Sequence, residues 1–338
     1  MNVVVLAGGT GGAKLAHGFQ QDLEPGELSV VVNTGDDTVR HGLLVMPDHD
    51  AVMYMLAGLF DDERGWGLRD ETWAAIGMLE RYGEDTWFGL GDRDFGTHIA
   101  RNVRLLAGLS ITESVLELQA ALGIPSAILP MADEPVRTAV RTEEGWLDFQ
   151  EYFVHRHQGP EVLDVRFDGI DGARPTTQVR AAIGAADVIV IGPSNPLVSL
   201  GPILAVPAMA ELLARARSRG TPVVAVSGII GGAALKGPAD RMLASMGHES
   251  SARGVAAMLA PHIDAFVLDT TDASQAPEID ALGLRTLVTD TIMRDHDGRA
   301  RLAREVLDFV APPPADEAAG AAEPTEPDDA DADPAVEP

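Results

Sequence analysis

Four aspartates, Asp36, Asp37, Asp48 and Asp50, fall within fifteen positions in "NTGDDTVRHGLLVMPDHDAV" (33–52), directly after a strongly apolar run. Carboxylates that converge repel one another unless a cation sits between them. Mg²⁺ suits such a place, because it takes one or two carboxylates together with substrate phosphates and water. A phosphate site is offered by "LAGGTGGAKL", where glycines after an apolar run let backbone N–H groups approach an anion at a helix N-terminus. The run is not a P-loop, since Ala13-Lys14-Leu15 stands where Gly-Lys-Ser/Thr is required. It is not a regular dinucleotide fingerprint either, because Lys14 occupies the third glycine position. The bland alternatives are a solvated acidic loop and a tight strand–helix turn. Both motifs follow a strand-like run, which favours a cation holding a phosphate.

Three further stretches carry chemistry. In "IGPSNPLVSLGPI", Pro193 and Pro196 stiffen the backbone around Ser194 and Asn195, whose hydroxyl and amide can read a base or a phosphate oxygen. The alternative is a stiff loop with an N-cap serine. "WFGLGDRDFGTHIAR" offers Asp92, Arg93, Asp94 and His98; Arg93 suits a phosphate, and His98 is expected to be structural. Lys236, in "VSGIIGGAALKGPADRM", and Lys14 are the chain's two lysines, and both lie beside glycine-rich turns that suit phosphate contact. No Ser-His-Asp or His-metal spacing appears.

These motifs need a scaffold that brings strand ends together. Continuous apolar, β-branched runs recur at 2–9, 28–35, 126–133, 187–195, 222–230, 265–272 and 284–291. Strands buried on both faces read this way. Amphipathic stretches such as "PAMAELLARARSRG" lie between most of them, which predicts a doubly wound, mostly parallel α/β sheet of Rossmann type. Ligands bind beyond the carboxyl ends of such strands. Residues 50–123 read as a helical segment, and 136–170 as an insertion bearing a hairpin that turns near Glu144–Gly145. One domain over 1–310 is expected.

Composition narrows the function. The net charge of −27 excludes sequence-independent affinity for nucleic acid or an anionic membrane. The absence of cysteine excludes disulfides and thiolate chemistry. There is no basic n-region and no apolar run long enough to span a bilayer, so a cytoplasmic protein is expected. The last stretch, 311–338, holds nine of the acids and no base and is rich in Pro and Ala, so it is expected to be a disordered acidic tail.

Taken in order, "GGTGGAKL", "VVVNTGDD", "HGLLVMPDHDAVMYMLAG", "WFGLGDRDFGTHIAR", "ILPMADEPVRT", "FQEYFV", "GPSNPLVSLGPIL" and "VSGIIGGAALKGPADRM" resemble the 2-phospho-L-lactate transferase family of coenzyme F-420 biosynthesis. Its actinobacterial branch, the phosphoenolpyruvate transferases, is favoured by the GC-rich coding bias. The resemblance implies transfer of a phosphoenolpyruvyl or 2-phospho-L-lactyl group from its guanosine diphosphate conjugate to a deazaflavin hydroxyl. GMP would leave, Mg²⁺ would be the cofactor and the protein would be a homodimer. It further implies that Gly9, Thr10, Gly11, Asn33, Ser194 and Asn195 hold the nucleotide, with Lys14 beside them. Asp36, Asp37 and Asp48 would serve the metal, with Asp36 and Asp50 catalytic and Asp50 and Arg93 at the deazaflavin. A related branch that shares "NTGDD" binds nucleotide-sugars; it continues with a Gly/Ser-rich turn, where this chain has "TVRHGLLVMPDHD". An NAD-dependent oxidoreductase is disfavoured at Lys14.

The tail's composition cannot form a core. Deleting residues from Pro314 onward should therefore leave melting temperature and turnover unchanged. A large loss of either in a thermal melt or an assay would show that the tail docks on the body.

Overall fold

The computed structural model describes residues 1–311, so the expectation for the acidic tail lies outside the described residues. All seven apolar runs are strands of one sheet: β1 (Val3–Ala7), β2 (Leu28–Val32), β3 (Ala127–Pro130), β4 (Val188–Ile191), β5 (Val223–Val226), β6 (Ala265–Asp269) and β7 (Arg285–Thr289). Their order is β7-β6-β5-β4-β1-β2-β3, and every pairing is parallel. The order reverses between β1 and β4, where Val3 pairs with Leu28 on one side and Val188 on the other. That reversal opens the crevice in which an open α/β sheet binds ligands.

Alternation along each strand divides the core in two. Val4, Leu6, Val31, Ile189, Ile191 and Phe266 face helices at 177–185, 209–218 and 252–259. Val3, Val5, Val30, Val190, Val224 and Val267 face α1 (Gly9–Asp22), α2 (Pro47–Leu56) and a C-terminal helix, here the partner of α1, at His296–Val310. Burial on both faces is why the inner strands β1, β4 and β5 are apolar throughout, whereas the edge strand β7 carries Arg285, Thr286 and Thr289.

The segment 50–123 is helical as expected, with helices at Pro47–Leu56, Ala74–Arg81, Asp92–Leu106 (α3) and Ile111–Ala121. It is preceded by a ribbon the sequence did not announce, Thr38–Arg40 paired with Leu43–Val45. The two residues that turn it, His41 and Gly42, both have positive φ, as a type I′ loop needs. The insertion contains the expected hairpin, Arg137–Thr142 with Gly145–Asp148. A third strand, Asp164–Asp168, completes a small antiparallel sheet, and a π-helical turn at Glu151–His155 lies between the two.

Close approach of α1 to the C-terminal helix depends on Gly18. A Cβ there would stand 2.2 Å from the Arg299 carbonyl oxygen. Gly18→Ala should destabilise the protein by about 1–3 kcal/mol through overpacking. Gly96, mid-helix in α3 with open space around it, should gain roughly 0.5–1 kcal/mol as alanine. Equal denaturation midpoints for both variants would show that the two helices separate without cost.

Candidate functional site

The loops that follow β1 and β4 meet at the reversal. Gly8 caps α1 without a side-chain bond and no acid lies in its first turn, so the leading N–H groups after Gly9, whose own N–H turns to Asp48, are available to an anion. The glycines are there for packing as well: a Cβ on Gly11 would lie 2.1 Å from the Pro193 carbonyl, and one on Gly12 2.7 Å from Ala7 Cβ. Ser194 fastens the two loops. Its hydroxyl donates to the Gly8 carbonyl (2.6 Å) and accepts from the Gly8 N–H (3.3 Å). Asn195 Oδ1 accepts from the Leu197 N–H at 2.9 Å, which closes its turn and leaves the amide NH₂ with only the Met242 sulfur, 3.6 Å away.

A cavity of about 660 Å³ opens from this point. Gly9, Thr10, Gly11, Pro193, Ser194 and Asn195 line one end. Trp66, Trp87, Phe88, Phe149 and Phe153 also line it, and Asp36, Asp48, Asp50, Tyr54, Asp94, His98, His157 and Lys236 supply its charged and titratable groups. The aromatic wall is built by irregular segments and by the π-helical turn, a feature frequent at functional sites.

The four carboxylates are compensated differently. Asn33 donates its amide NH₂ to Asp36 Oδ1 (3.1 Å) and Asp48 Oδ2 (2.9 Å) and so draws the two together. Burial, and the charge of Asp48, push the Asp36 carboxyl well above the usual carboxylate range. Burial likewise pushes Asp48 up to about 6, against the opposing help of Asn33 and the Gly9 N–H. Neither forms an ion pair among the described residues. Two buried carboxylates with raised proton affinity, a shared neutral donor and a facing anion-binding loop fit a hard divalent cation.

Asp50 is the opposite case. Burial would raise its pKa, but the Arg101 guanidinium overrides this and holds the carboxyl well below the usual range. Arg101, from α3, is fully buried. Its Nη1 donates to Asp50 Oδ2 at 3.1 Å and to the Leu44 carbonyl at 3.2 Å, and its Nη2 donates to Asp50 Oδ1. His98 stands between this pair and Asp94, with Nδ1 3.3 Å from Arg101 Nη1 and Nε2 3.2 Å from Asp94 Oδ1. Tyr54 donates its hydroxyl to Asp94 at 2.6 Å.

Several expectations change. Asp50 lines the cavity, but a carboxylate bound on both oxygens by arginine is a weak base, which argues against its accepting a proton. Asn33 does not line the cavity; it positions Asp36 and Asp48. Ser194 lines it with its hydroxyl already committed to Gly8. Asp37 is buried, its pKa raised by that burial, and does not line the cavity. No group of three or more side chains that could hold a metal is present among the described residues, and of the three aspartates expected at a metal only Asp36 and Asp48 line the cavity. Lys14 lies outside the lining, whereas Lys236 is part of it. Arg93 is exposed, donates to the Arg69 carbonyl at 2.8 Å and does not reach the cavity. His98, expected to be structural, does line it. Sequence reasoning missed Arg101 and Tyr54. The spacing of Asp94, His98 and Arg101 was a usable signal, because 4 and 3 residues apart they share one face of a helix.

The family described as 2-phospho-L-lactate transferase CofD matches residues 3–300. A phosphoenolpyruvate transferase of Streptomyces griseus is 43% identical over 92% of this chain and 98% of its own length. A 2-phospho-L-lactate transferase of Methanococcoides burtonii is 37% identical over 91% and 99%. Among solved structures, a UPF0052 family protein of Bacillus halodurans superposes with a TM-score of 0.58 at 17% identity, covering 90% of this chain and 98% of its own. That likeness concerns the fold alone.

Breaking the buried pair tests its weight. Arg101→Gln should cost about 3–5 kcal/mol, since it leaves Asp50 buried and uncompensated. Adding Asp50→Asn should recover part of that loss. Strictly additive losses in chemical denaturation would mean that the two side chains do not act as a pair.

Proposed function

This chain belongs to the 2-phospho-L-lactate transferase family, and we propose that it transfers a phosphoenolpyruvyl or 2-phospho-L-lactyl group from the guanosine diphosphate conjugate to the ribityl hydroxyl of a deazaflavin precursor, releasing GMP. The observation that carries this reading is the single cavity with an anion-binding end at the β1/β4 crevice and a separate aromatic wall. A nucleoside diphosphate suits the first and a planar ring the second.

The reaction belongs to the transfers of substituted phosphate groups. The acceptor oxygen forms a bond to the phosphorus that carries the three-carbon group. The bond from that phosphorus to the bridging oxygen breaks, GMP leaves with the electron pair, and the hydroxyl proton passes to water. Transfer at phosphorus needs positioning and charge neutralisation more than covalent participation. The Gly9–Gly11 backbone and the free NH₂ of Asn195 would orient the diphosphate. Asp36 and Asp48 would hold Mg²⁺, which when bound would neutralise phosphate charge. Asp50, fixed and charged, would accept a hydrogen bond from the attacking hydroxyl and orient it, and His98, Asp94 and Tyr54 would keep that corner rigid. A homodimer and a cytoplasmic location belong to the same reading.

Mass spectrometry of the product made from deazaflavin and each candidate donor tests it directly. The deazaflavin should gain one phosphodiester-linked three-carbon group, with one GMP released per product. EDTA should abolish turnover and Mg²⁺ restore it. Asn195→Ala should weaken GDP by roughly 1–3 kcal/mol. No product with either donor, or full activity in metal-free buffer, would overturn the assignment.

A further inference from the structure

The charge balance of the cavity leaves one group unexplained. Its wall carries the carboxylates of Asp36, Asp48, Asp50 and Asp94, yet the only lysine or arginine lining it among the described residues is Lys236. Arg101 is spent on Asp50 behind the wall. Lys236 forms no ion pair within the described chain; its ammonium donates to the Gly65 carbonyl. Partial withdrawal from water lowers its pKa, and the charge of Lys14 lowers it further. A cation opposed by another cation's charge, with a neutral partner, gains from an anion that the protein does not supply.

Lys236 belongs to neither the glycine loop nor the β4 loop. It comes from the loop after the short hairpin at 229–234, where Gly231, Gly232 and Gly237 all have positive φ, and reaches the Gly65–Gly67 turn. A Cβ on the adjoining Gly237 would lie 3.9 Å from a ring carbon of Phe153, in the aromatic wall. The diphosphate already has the glycine loop, Asn195 and the Asp36–Asp48 site. One negative group of the donor remains, the carboxylate of its three-carbon part, and it must lie between the nucleotide and the acceptor.

We propose that Lys236 is a donor-specificity residue: its ammonium exchanges the Gly65 carbonyl for the carboxylate of the transferred three-carbon group. The exchange costs one rim hydrogen bond and forms a charge-assisted one, which is the stronger kind. An enolpyruvyl and a lactyl group present the same carboxylate, so this contact selects for acidic three-carbon donors over neutral ones without distinguishing those two. The proposal rests on the donor class given above.

Calorimetry on the full chain separates the possibilities, using GDP, the lactyl guanosine diphosphate conjugate and an ethyl conjugate that lacks the carboxylate. The wild type should bind the lactyl conjugate more tightly than the ethyl one. Lys236→Met should lose about 10–100-fold in affinity for the lactyl conjugate, with GDP and ethyl-conjugate affinities and melting temperature unchanged. Lys236→Arg should keep most of the preference. If Lys236→Met weakens GDP as much as the lactyl conjugate, Lys236 is a diphosphate ligand and the proposal fails. It fails equally if the preference survives in Lys236→Met, or if the wild type binds GDP but shows no preference. A wild type that binds no guanosine ligand overturns the donor class itself.

Discussion

Burying carboxylates beside a glycine-rich helix N-terminus is the constraint around which this molecule is organised. Asp36, Asp48, Asp50 and Asp94 all lie within one cavity wall, where each would be costly as an isolated ion. The chain meets the cost in two ways. Asp50 is given a permanent counter-charge in Arg101, and Asp94 is given Tyr54 and His98. Asp36 and Asp48 receive only neutral donors, the Asn33 amide and, for Asp48, the Gly9 N–H, and keep a raised affinity for protons. The first group is therefore satisfied within the protein, and the second is not. Such a division is what a cation site needs: a rigid corner that excludes strays, and a pair of acids left wanting a positive charge.

That division also fixes the loops. Arg101 reaches from α3 across to α2 and to the ribbon at 38–45, so the ion pair ties together the three elements that frame the acidic side. On the other side, Ser194 ties the β4 loop to Gly8. The glycines of 8–12 permit this approach, because a side chain at Gly11 or Gly12 would collide with Pro193 or Ala7. Pre-organisation of the crevice thus comes from packing and backbone bonds, with the N–H groups at the start of α1 left over for a ligand.

The sheet was legible in the sequence because its signal is strong and local. Continuous Val/Ile/Leu runs on a two-sided sheet have no other stable home, and all seven emerged as strands. The hairpin at Glu144–Gly145 was legible for the same reason, through alternation and a turn. The ribbon at 38–45 was not: it is three residues per strand and turns on His41-Gly42 rather than on the Asn-Gly or Asp-Gly pair that marks such a loop in a sequence. At the site, residue type was a good guide to neighbourhood and a poor one to role. Arg93 looked like the functional arginine because it sits in "GDRD", yet the helix directs it outward, and Arg101, two turns on, faces in. Asn33 and Ser194 have the right chemistry for a ligand, but tertiary contacts consume it. Sequence gives donors and acceptors; only packing decides which remain free.

The two halves of the cavity have different origins in the chain, and this bears on how far the fold can speak for the function. The glycine-loop end is made by strand ends of the sheet, the part any protein of this topology must possess. The aromatic wall and Lys236 come from segments 64–67, 87–89, 149–157 and 236–238, all of which lie outside the seven-stranded sheet. A neighbour that superposes over most of the chain at 17% identity can share the first half while differing in the second. An anion-accepting crevice is what a sheet of this topology makes available, and the chemistry of the aromatic side of the cavity depends on what is inserted between its strands. The relatives named for phosphoenolpyruvate and for phospholactate transfer are both above a third identical over nearly the whole chain, so the two kinds of transferase share the scaffold, and what separates them is to be sought in individual side chains.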